Sequence, residues 1–338
     1  MKKRIKAVLK LILGERIIKQ FRELRQIMIL RYNHHIDFIL FKKHSSVFSQ
    51  NTFEKKESEI TLRYHSLEKG FLYKPIKYRF AREKVTQLHI LFKDDEVLRN
   101  TNRAHIQSAI ANLINYYEIH QESNVDISSY FSKENYLFYK GILVNPLKST
   151  KSHTFESYFS NTDGDFNQFS NSRCSVRNFT GEKIAVEKLK KVVNLANNAP
   201  SVCNRQPIKL YLVENKNLID KIFEIQGGLK GYSSELSQMI IVSCDRSYFY
   251  SVGERNQLYI DGGIYLMNLL YALHYYQIAA CPAHWGMPVG ADKKMRELLK
   301  LPETLQIICL VAIGVPTDNF MTTLSLRKKS DENFQIIN

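Results

Sequence analysis

A short polar segment of this 338-residue chain has the residue types that bind a phosphate group. Arg173, Ser175 and Arg177 stand at alternate positions, so an extended backbone would place their three side chains on one face. Arginine suits a phosphate because its planar guanidinium donates hydrogen bonds in pairs and stays charged. Shielded from water, each charge-assisted bond would contribute about 1.5 to 3 kcal/mol. The segment therefore predicts an anion site.

A second polar cluster follows one helix later. Apolar residues recur at helical spacing over 186–196, which predicts an amphipathic helix that Pro200 brings to an end. Hydroxyl and amide groups in the next turn could bond the edge of a heteroaromatic ring. These groups belong to Ser201, Asn204 and Gln206.

The two clusters, in this order, resemble motifs of the nitroreductase family of FMN-dependent oxidoreductases. The family's first motif reads approximately Arg-Arg-Ser-x-Arg, and here Cys174 replaces the second arginine. The next reads approximately Ala-Pro-Ser-x-x-Asn-x-Gln-Pro-Trp, and here Ile208 replaces the tryptophan. The resemblance covers about the last half of the chain.

The resemblance implies an α+β, nitroreductase-like fold with a central mixed sheet flanked by helices, assembled as a homodimer. A long apolar helix would lie at the dimer interface, and the loop 280–286 would line the flavin. Arg327, with Lys329 as a second candidate, would return to the FMN phosphate. The residues implied to bind FMN are Arg173, Cys174, Ser175, Val176, Arg177, Ser201, Asn204, Gln206, His284, Trp285 and Arg327.

The implied chemistry is ping-pong hydride transfer from NADH or NADPH through FMN to an electron-poor small-molecule acceptor. His284 is the candidate catalytic side chain, as a proton donor beside the reactive face of the flavin. A rival interpretation makes Cys281 a nucleophile activated by His284, although no acid that would orient the histidine is evident. No metal site is expected, because the five cysteines include no CxxC pair.

Strands and helices alternate in the second half of the chain. The pattern predicts strands at 208–213, 239–244 and 305–313 and a helix at 216–225, which indicates an α/β or α+β sheet. The apolar run 261–290 predicts a buried helix that ends near Ala279, not a membrane span. Gly227, Gly228 and Gly231 lack the G-x-G-x-x-G spacing of a Rossmann dinucleotide site.

Much of the positive charge lies at the N-terminus. Up to Lys43 there are 12 Lys and Arg against 3 acidic residues, in a protein of net charge +15. Residues 1–44 predict a basic amphipathic helix whose apolar stripe packs on the protein's own core, with a membrane surface or a partner protein as the alternatives. Nucleic-acid binding is not expected, because no recognition motif accompanies the local charge.

The chain divides into the basic helix 1–44, a mostly helical extension and linker at 45–165, and an FMN-binding domain at 166–331. Polar composition over 145–171 indicates linker. A catalytic role is not expected for His65, Glu68 and Lys69, because one histidine among charged neighbours is more often a capping or surface group. Their His-Ser-x-Glu-Lys-Gly stretch resembles the helical extension of a bacterial nitroreductase-like subgroup.

Two alternatives to this function remain open from the sequence. The flavin fold could catalyse another reaction, such as reductive removal of a substituent or flavin fragmentation. Alternatively, the chain could be a non-enzymatic membrane-surface or assembly protein with a degenerate flavin fold. The cysteine pattern and the lack of an evident secretory signal favour a cytoplasmic protein, with a peripheral location at the inner face of the membrane as the alternative.

Overall fold

The computed structural model describes residues 2–229 and 234–337, with side chains described from Arg16 onward. The helices and strands, in chain order, are α1 Lys2–His44, α2 Phe53–Gly70, α3 Arg82–Leu91, α4 Asp95–Arg99, α5 Ala104–Glu122, α6 Lys133–Ile142, β1 Thr150–Thr154, α7 Phe155–Phe159, α8 Phe166–Ser172, α9 Val186–Ala196, β2 Ile208–Val213, α10 Lys216–Gln226, β3 Gln238–Asp245, α11 Gln257–Tyr275, β4 Ala279–His284, α12 Val289–Leu299, β5 Leu305–Gly314, β6 Asn319–Thr323 and α13 Ser330–Asn333.

The central sheet confirms the α+β class. Its strands lie in the order β2-β3-β5-β4, and β2 has the predicted bounds, whereas β3 and β5 are slightly longer than predicted. All three strand pairs are antiparallel, where a mixed sheet was predicted. Each strand therefore runs opposite to its neighbours although helices connect several of them.

Both faces of the sheet are covered, which explains the near-continuous apolar sequence of β3 and β5. Met239 and Ile241 pack into the core on the side of α10 and α12, while Ile240 and Val242 pack against α9 and α11 on the other side. The alternation of successive side chains between the two faces produces this division. The result is a three-layer domain in which the sheet lies between α10 and α12 on one side and α9 and α11 on the other.

The long apolar helix ends earlier than predicted. Helix α11 stops at Tyr275 because Gln277 adopts a left-handed backbone with φ of 52°, and the Ile278 N–H returns to the Leu273 carbonyl at 2.8 Å. The next residues form β4, so most of the predicted loop 280–286 is strand. Pro282 is tolerated there because β4 lies at the sheet edge.

Helices α2, α3, α5 and α6 share a separate apolar core, as the predicted helical extension requires. Helix α1, in contrast, leaves most of its described apolar side chains exposed. Phe21, Leu24 and Met28 are exposed, so the predicted packing on the protein's own core is wrong for the side chains that the structure describes. Leu9 and the other apolar residues before Arg16 lie outside those side chains.

The segment predicted as a linker is structured. Strand β1 pairs with β6 near the other end of the chain, and Tyr158 and Phe159 of α7 are buried in the core of the sheet domain. The polar composition hid these elements, because their few aromatic residues supply the buried contacts. Residues 150–172 therefore belong to the sheet domain.

Ion pairs join distant parts of the chain. Glu254 pairs with Arg205 at 2.8 Å, and Arg255 pairs with Asp37 of α1 at 2.7 Å. The two neighbours Glu254 and Arg255 thus each pair with a residue distant in sequence. Within the described residues, no helix is both long and apolar enough to cross a membrane.

Candidate functional site

The segment from Arg173 to Arg177 is extended, as its alternation predicts. Val176 is fully buried in the core and Cys174 packs against that core, so the alternate residues Arg173, Ser175 and Arg177 face the other way. The backbone is fixed on both sides. Val176 donates its N–H to the Ala280 carbonyl of β4 at 3.0 Å, and the Tyr158 hydroxyl donates to the Cys174 carbonyl at 2.8 Å.

Both guanidinium groups retain unused hydrogen-bonding capacity toward the part of the chain that the structure describes. Arg177 is 8% exposed, and its Nη1 donates to the Ser175 carbonyl at 3.4 Å. Arg173 is half-buried, and the Nε atoms of both arginines are buried without a hydrogen-bond partner among the described residues. A buried donor without a hydrogen-bond partner costs about 1 to 3 kcal/mol, and more when the group is charged. A bound anion would accept hydrogen bonds from these two donors, so the pair fits an anion site.

The positive charge of this pair affects neighbouring groups. The pKa of His274 falls to about 4, first because burial disfavours the imidazolium and second because Arg173 repels it. The Nε2 atom of His274 lies 2.8 Å from the Ser172 hydroxyl. A neutral imidazole is therefore expected beside the anion site at neutral pH.

Lys69 of the helical extension lies beside the same cluster. It is half-buried, and burial and then the charge of Arg177 lower its pKa. Glu68 is only 2% exposed and interacts with His65 at 3.0 Å. This burial was not predictable from the sequence, because Glu68 also accepts from the distant Ser325 N–H, at 3.3 Å.

The second polar cluster forms a compact turn. Cys203, Asn204 and Gln206 have positive φ, and the Gln206 N–H donates to the Ser201 hydroxyl at 3.0 Å. The Gln206 amide nitrogen also donates to Asn204 Oδ1 at 3.0 Å. A cavity of about 170 Å³ lies beside Ser201 and Gln206, and Asp261 lines it. Exposed amides beside this cavity are accessible to a ligand.

Asp261 lines the cavity beside the second cluster, and the sequence did not predict a role for it. It is 2% exposed, and its carboxylate accepts from the Val202 N–H at 3.3 Å and from Gln257 Nε2 at 2.8 Å. Its isolation at the start of an otherwise uncharged run was the available signal. The carboxylate thus fixes the turn that presents Ser201.

The two clusters lie at opposite ends of α11. Near the start of the helix, Asp261 bonds the turn of the second cluster. Near the end of the helix, His274 contacts Ser172, which directly precedes the first cluster. Thirteen helical residues span about 20 Å, at 1.5 Å per residue. The two predicted clusters of one chain are therefore too far apart to surround one small ligand.

His284 and Trp285 differ in their surroundings. His284 is exposed at the end of β4, and its Nδ1 accepts from the Gly286 N–H at 3.2 Å. Trp285 is buried, and its indole N–H donates to Asp292 Oδ1 at 2.8 Å. The indole donor is thus already used, while the imidazole of His284 remains accessible.

The structure disfavours Cys281 as a nucleophile. The residue is 1% exposed, and burial raises the pKa of its thiol although Arg177 and Lys69 oppose that shift. His284, its proposed activator, lies three positions along the strand and points to the opposite face. A buried, protonated thiol behaves as a small apolar side chain.

Arg327 is exposed and donates to the Ser325 carbonyl. Its charge acts on His105 of α5, and the next residue, Lys328, forms an ion pair with Glu57 of α2. The basic residues near the C-terminus thus lie along the helical extension. The roles predicted for Arg327 and Lys329 at a phosphate remain predictions.

Fold and site together define an α+β protein with a cationic segment near one end of its central helix and a polar turn near the other. The sequence model of the nitroreductase family matches residues 171–229, the segment that contains both polar clusters. This match confirms the resemblance recognised from the two motifs.

Several known proteins are similar to about half of the chain. Iodotyrosine deiodinase from Hydra vulgaris is 23% identical over 193 residues, which cover 50% of this chain and 71% of that protein. A nitroreductase-like protein from Streptococcus mutans is 19% identical, with a TM-score of 0.44, over 52% of this chain and 100% of that one. A protein from Staphylococcus epidermidis assigned as an NAD(P)H:FMN oxidoreductase is 20% identical, with a TM-score of 0.46, over 52% and 96% of the two chains.

Proposed function

We propose that the protein is an FMN-dependent oxidoreductase that passes hydride from NADH or NADPH to an electron-poor small molecule in a ping-pong cycle. The observation that carries this proposal is the pair of buried Nε atoms of Arg173 and Arg177, which have no hydrogen-bond partner among the described residues. A phosphate monoester has the charge and the acceptor oxygens that these donors require. Bound FMN would supply the hydride chemistry.

The proposed site lies across the boundary of a homodimer. Arg173, Ser175 and Arg177 of one subunit would bind the phosphate, with Arg327 as a further candidate. Ser201, Asn204 and Gln206 of the other subunit would bond the ring edge. The separation of about 20 Å along α11 supports this division, because FMN contacts to both clusters then require two chains.

His284 and Trp285 would border the reacting face of the ring. A backbone N–H in this segment would stabilise the negative charge that develops on reduction, since a fixed dipole needs no reorganisation. The exposed imidazole of His284 is the candidate proton donor to the acceptor. Trp285 would act through shape and backbone, because its indole N–H is bonded to Asp292.

Substitution of both arginines tests the phosphate assignment. Arg173→Ala/Arg177→Ala should lose at least about tenfold in FMN affinity, because two charge-assisted contacts disappear. Arg22→Ala, on the exposed surface of α1, is the matched control for loss of charge. Equilibrium titration with FMN measures the change, and unchanged affinity in the double variant would refute the assignment.

A second candidate function is reductive removal of a substituent from a substrate. The similarity to iodotyrosine deiodinase, at 23% identity, supports this candidate. Reduction of a nitroaromatic or a quinone with NADH or NADPH supports the broad oxidoreductase. Turnover confined to a halogenated phenol, with release of halide, would instead support the second candidate.

A further inference from the structure

Helix α1 is attached to the rest of the protein along one side. Asp37 accepts two hydrogen bonds from the Arg255 guanidinium, at 2.7 and 2.9 Å, and Lys55 Nζ donates to the Lys43 carbonyl at 3.4 Å. Asn33, one turn before Asp37 and on the same side of the helix, is half-buried. These contacts orient the C-terminal half of α1 and determine which of its sides faces away from the protein.

The opposite side of α1 carries an apolar stripe. Met28 lies nine residues before Asp37, which is about two and a half turns at 3.6 residues per turn, so the two side chains point in opposite directions. Exposed apolar side chains recur around Met28 at spacings of three and four residues, over about four turns of helix. The stripe consists of Ile17, Phe21, Leu24, Met28 and Tyr32. A contiguous apolar surface of this kind marks a contact site.

Positive charge borders the stripe on both edges. Arg25 lies three residues before Met28 and Arg31 three residues after it, and both are exposed. Up to Lys43 the chain has 12 Lys and Arg against 3 acidic residues. The two acidic side chains that the structure describes in α1 are both paired, Asp37 with Arg255 at 2.7 Å and Glu23 with Lys19 at 3.9 Å. The exposed surface of α1 is therefore apolar along its centre and cationic at its edges.

An anionic lipid surface is complementary to both features. The apolar stripe would enter the boundary between headgroups and acyl chains, while the long arginine side chains extend to the lipid phosphates. A second copy of α1 fits less well, because paired helices place charges of opposite sign along their edges and here both edges are basic. We propose that α1 binds the surface of an anionic membrane through this stripe and holds the protein there. This location does not depend on the proposed flavin function.

Co-flotation of the full-length protein with lipid vesicles tests the choice of an anionic surface. Vesicles with about 30% phosphatidylglycerol should bind the protein at least about tenfold more tightly than vesicles of phosphatidylcholine alone, and added salt should weaken that binding. Arg25→Gln/Arg31→Gln should reduce the affinity for the anionic vesicles at least about fivefold. Lys133→Gln/Lys148→Gln, at exposed positions outside α1, is the control for loss of charge.

Removal of apolar side chains tests the stripe itself. Phe21→Gln/Leu24→Gln should weaken binding to the anionic vesicles at least about tenfold, because two apolar side chains no longer enter the lipid. Phe138→Gln/Leu137→Gln changes the same residue types at exposed positions of α6 and is the matched control. Thermal unfolding like that of the wild type would show that each variant is folded.

Three results would overturn the proposal. The first is a wild-type protein that floats with neither vesicle type or equally with both. The second is an equal loss of vesicle binding in the Phe21→Gln/Leu24→Gln variant and its control on α6. The third would come from sedimentation without lipid: weaker self-association of the Phe21→Gln/Leu24→Gln variant than of the wild type would show that a second copy of the chain covers the stripe.

Discussion

At the scale of single residues, Asp261 determines the position of the second polar cluster. Its carboxylate lies at the base of the turn, where it bonds the Val202 N–H and Gln257. The alternation of Arg173, Ser175 and Arg177 was readable from the sequence, because period-two spacing fixes which side chains share a face. The roles of Asp261 and Tyr158 were not, since each depends on a partner brought close only by the fold.

Removal of this carboxylate should loosen the turn. We expect Asp261→Ala to lower the free energy of unfolding by about 1 to 3 kcal/mol, because the Val202 N–H loses its buried acceptor. Denaturant unfolding measures the loss, with the exposed Asp318→Ala as the control. Equal stability of the two variants would show that Asp261 does not hold the turn.

At the scale of elements, α11 leaves one apolar face uncovered. Ile260, Ile264 and Met267 are exposed and recur at helical spacing, while Leu269 and Leu273 are buried against the sheet. The bounds of α9 and β2 followed from periodicity alone. The strand β4 did not, because its Pro282 reads as a loop residue and its pairing partner lies in distant β5.

A charge on the uncovered face should separate the predicted dimer. We expect Ile264→Glu to raise the dimer dissociation constant at least about tenfold, because burying an isoleucine contributes about 1.5 to 3 kcal/mol and two copies are affected. Sedimentation at several concentrations measures it. Ile90→Glu, also at an exposed position but on α3, is the control. A wild-type monomer, or an Ile264→Glu dimer of wild-type affinity, would contradict the predicted interface.

At the scale of the whole molecule, histidines in both cores tie stability to pH. Burial lowers the pKa of His89 and His274 to about 4, from an ordinary value of 6.5. It also lowers the pKa of His105, His120 and His153. The unfolded chain therefore binds protons first as pH falls below about 6.5.

Acid should destabilise the protein in a defined window. The free energy of unfolding should decrease as the pH falls from 6.5 to about 4. His274 alone accounts for roughly 2 to 3 kcal/mol of this decrease at pH 4. His274→Gln should therefore show a shallower loss, whereas the exposed His35→Gln should follow the wild type. Urea unfolding at several pH values tests this, and identical slopes for all three proteins would contradict it.

The organisation of the whole chain could be predicted only in part from the sequence. The helical extension and the α+β domain were predicted, because each has its own apolar pattern. The contacts between them were not, since the ion pair of Lys328 with Glu57 and the bond from Ser325 to Glu68 join residues far apart in sequence.

The central claim is that this chain binds a flavin, and the absorption spectrum of the protein purified without added cofactor tests it most directly. We predict a yellow protein that releases FMN on denaturation, at about one FMN per chain. The released compound is identified by chromatography against FMN, FAD and riboflavin. A colourless protein that also failed to take up added FMN would contradict the claim.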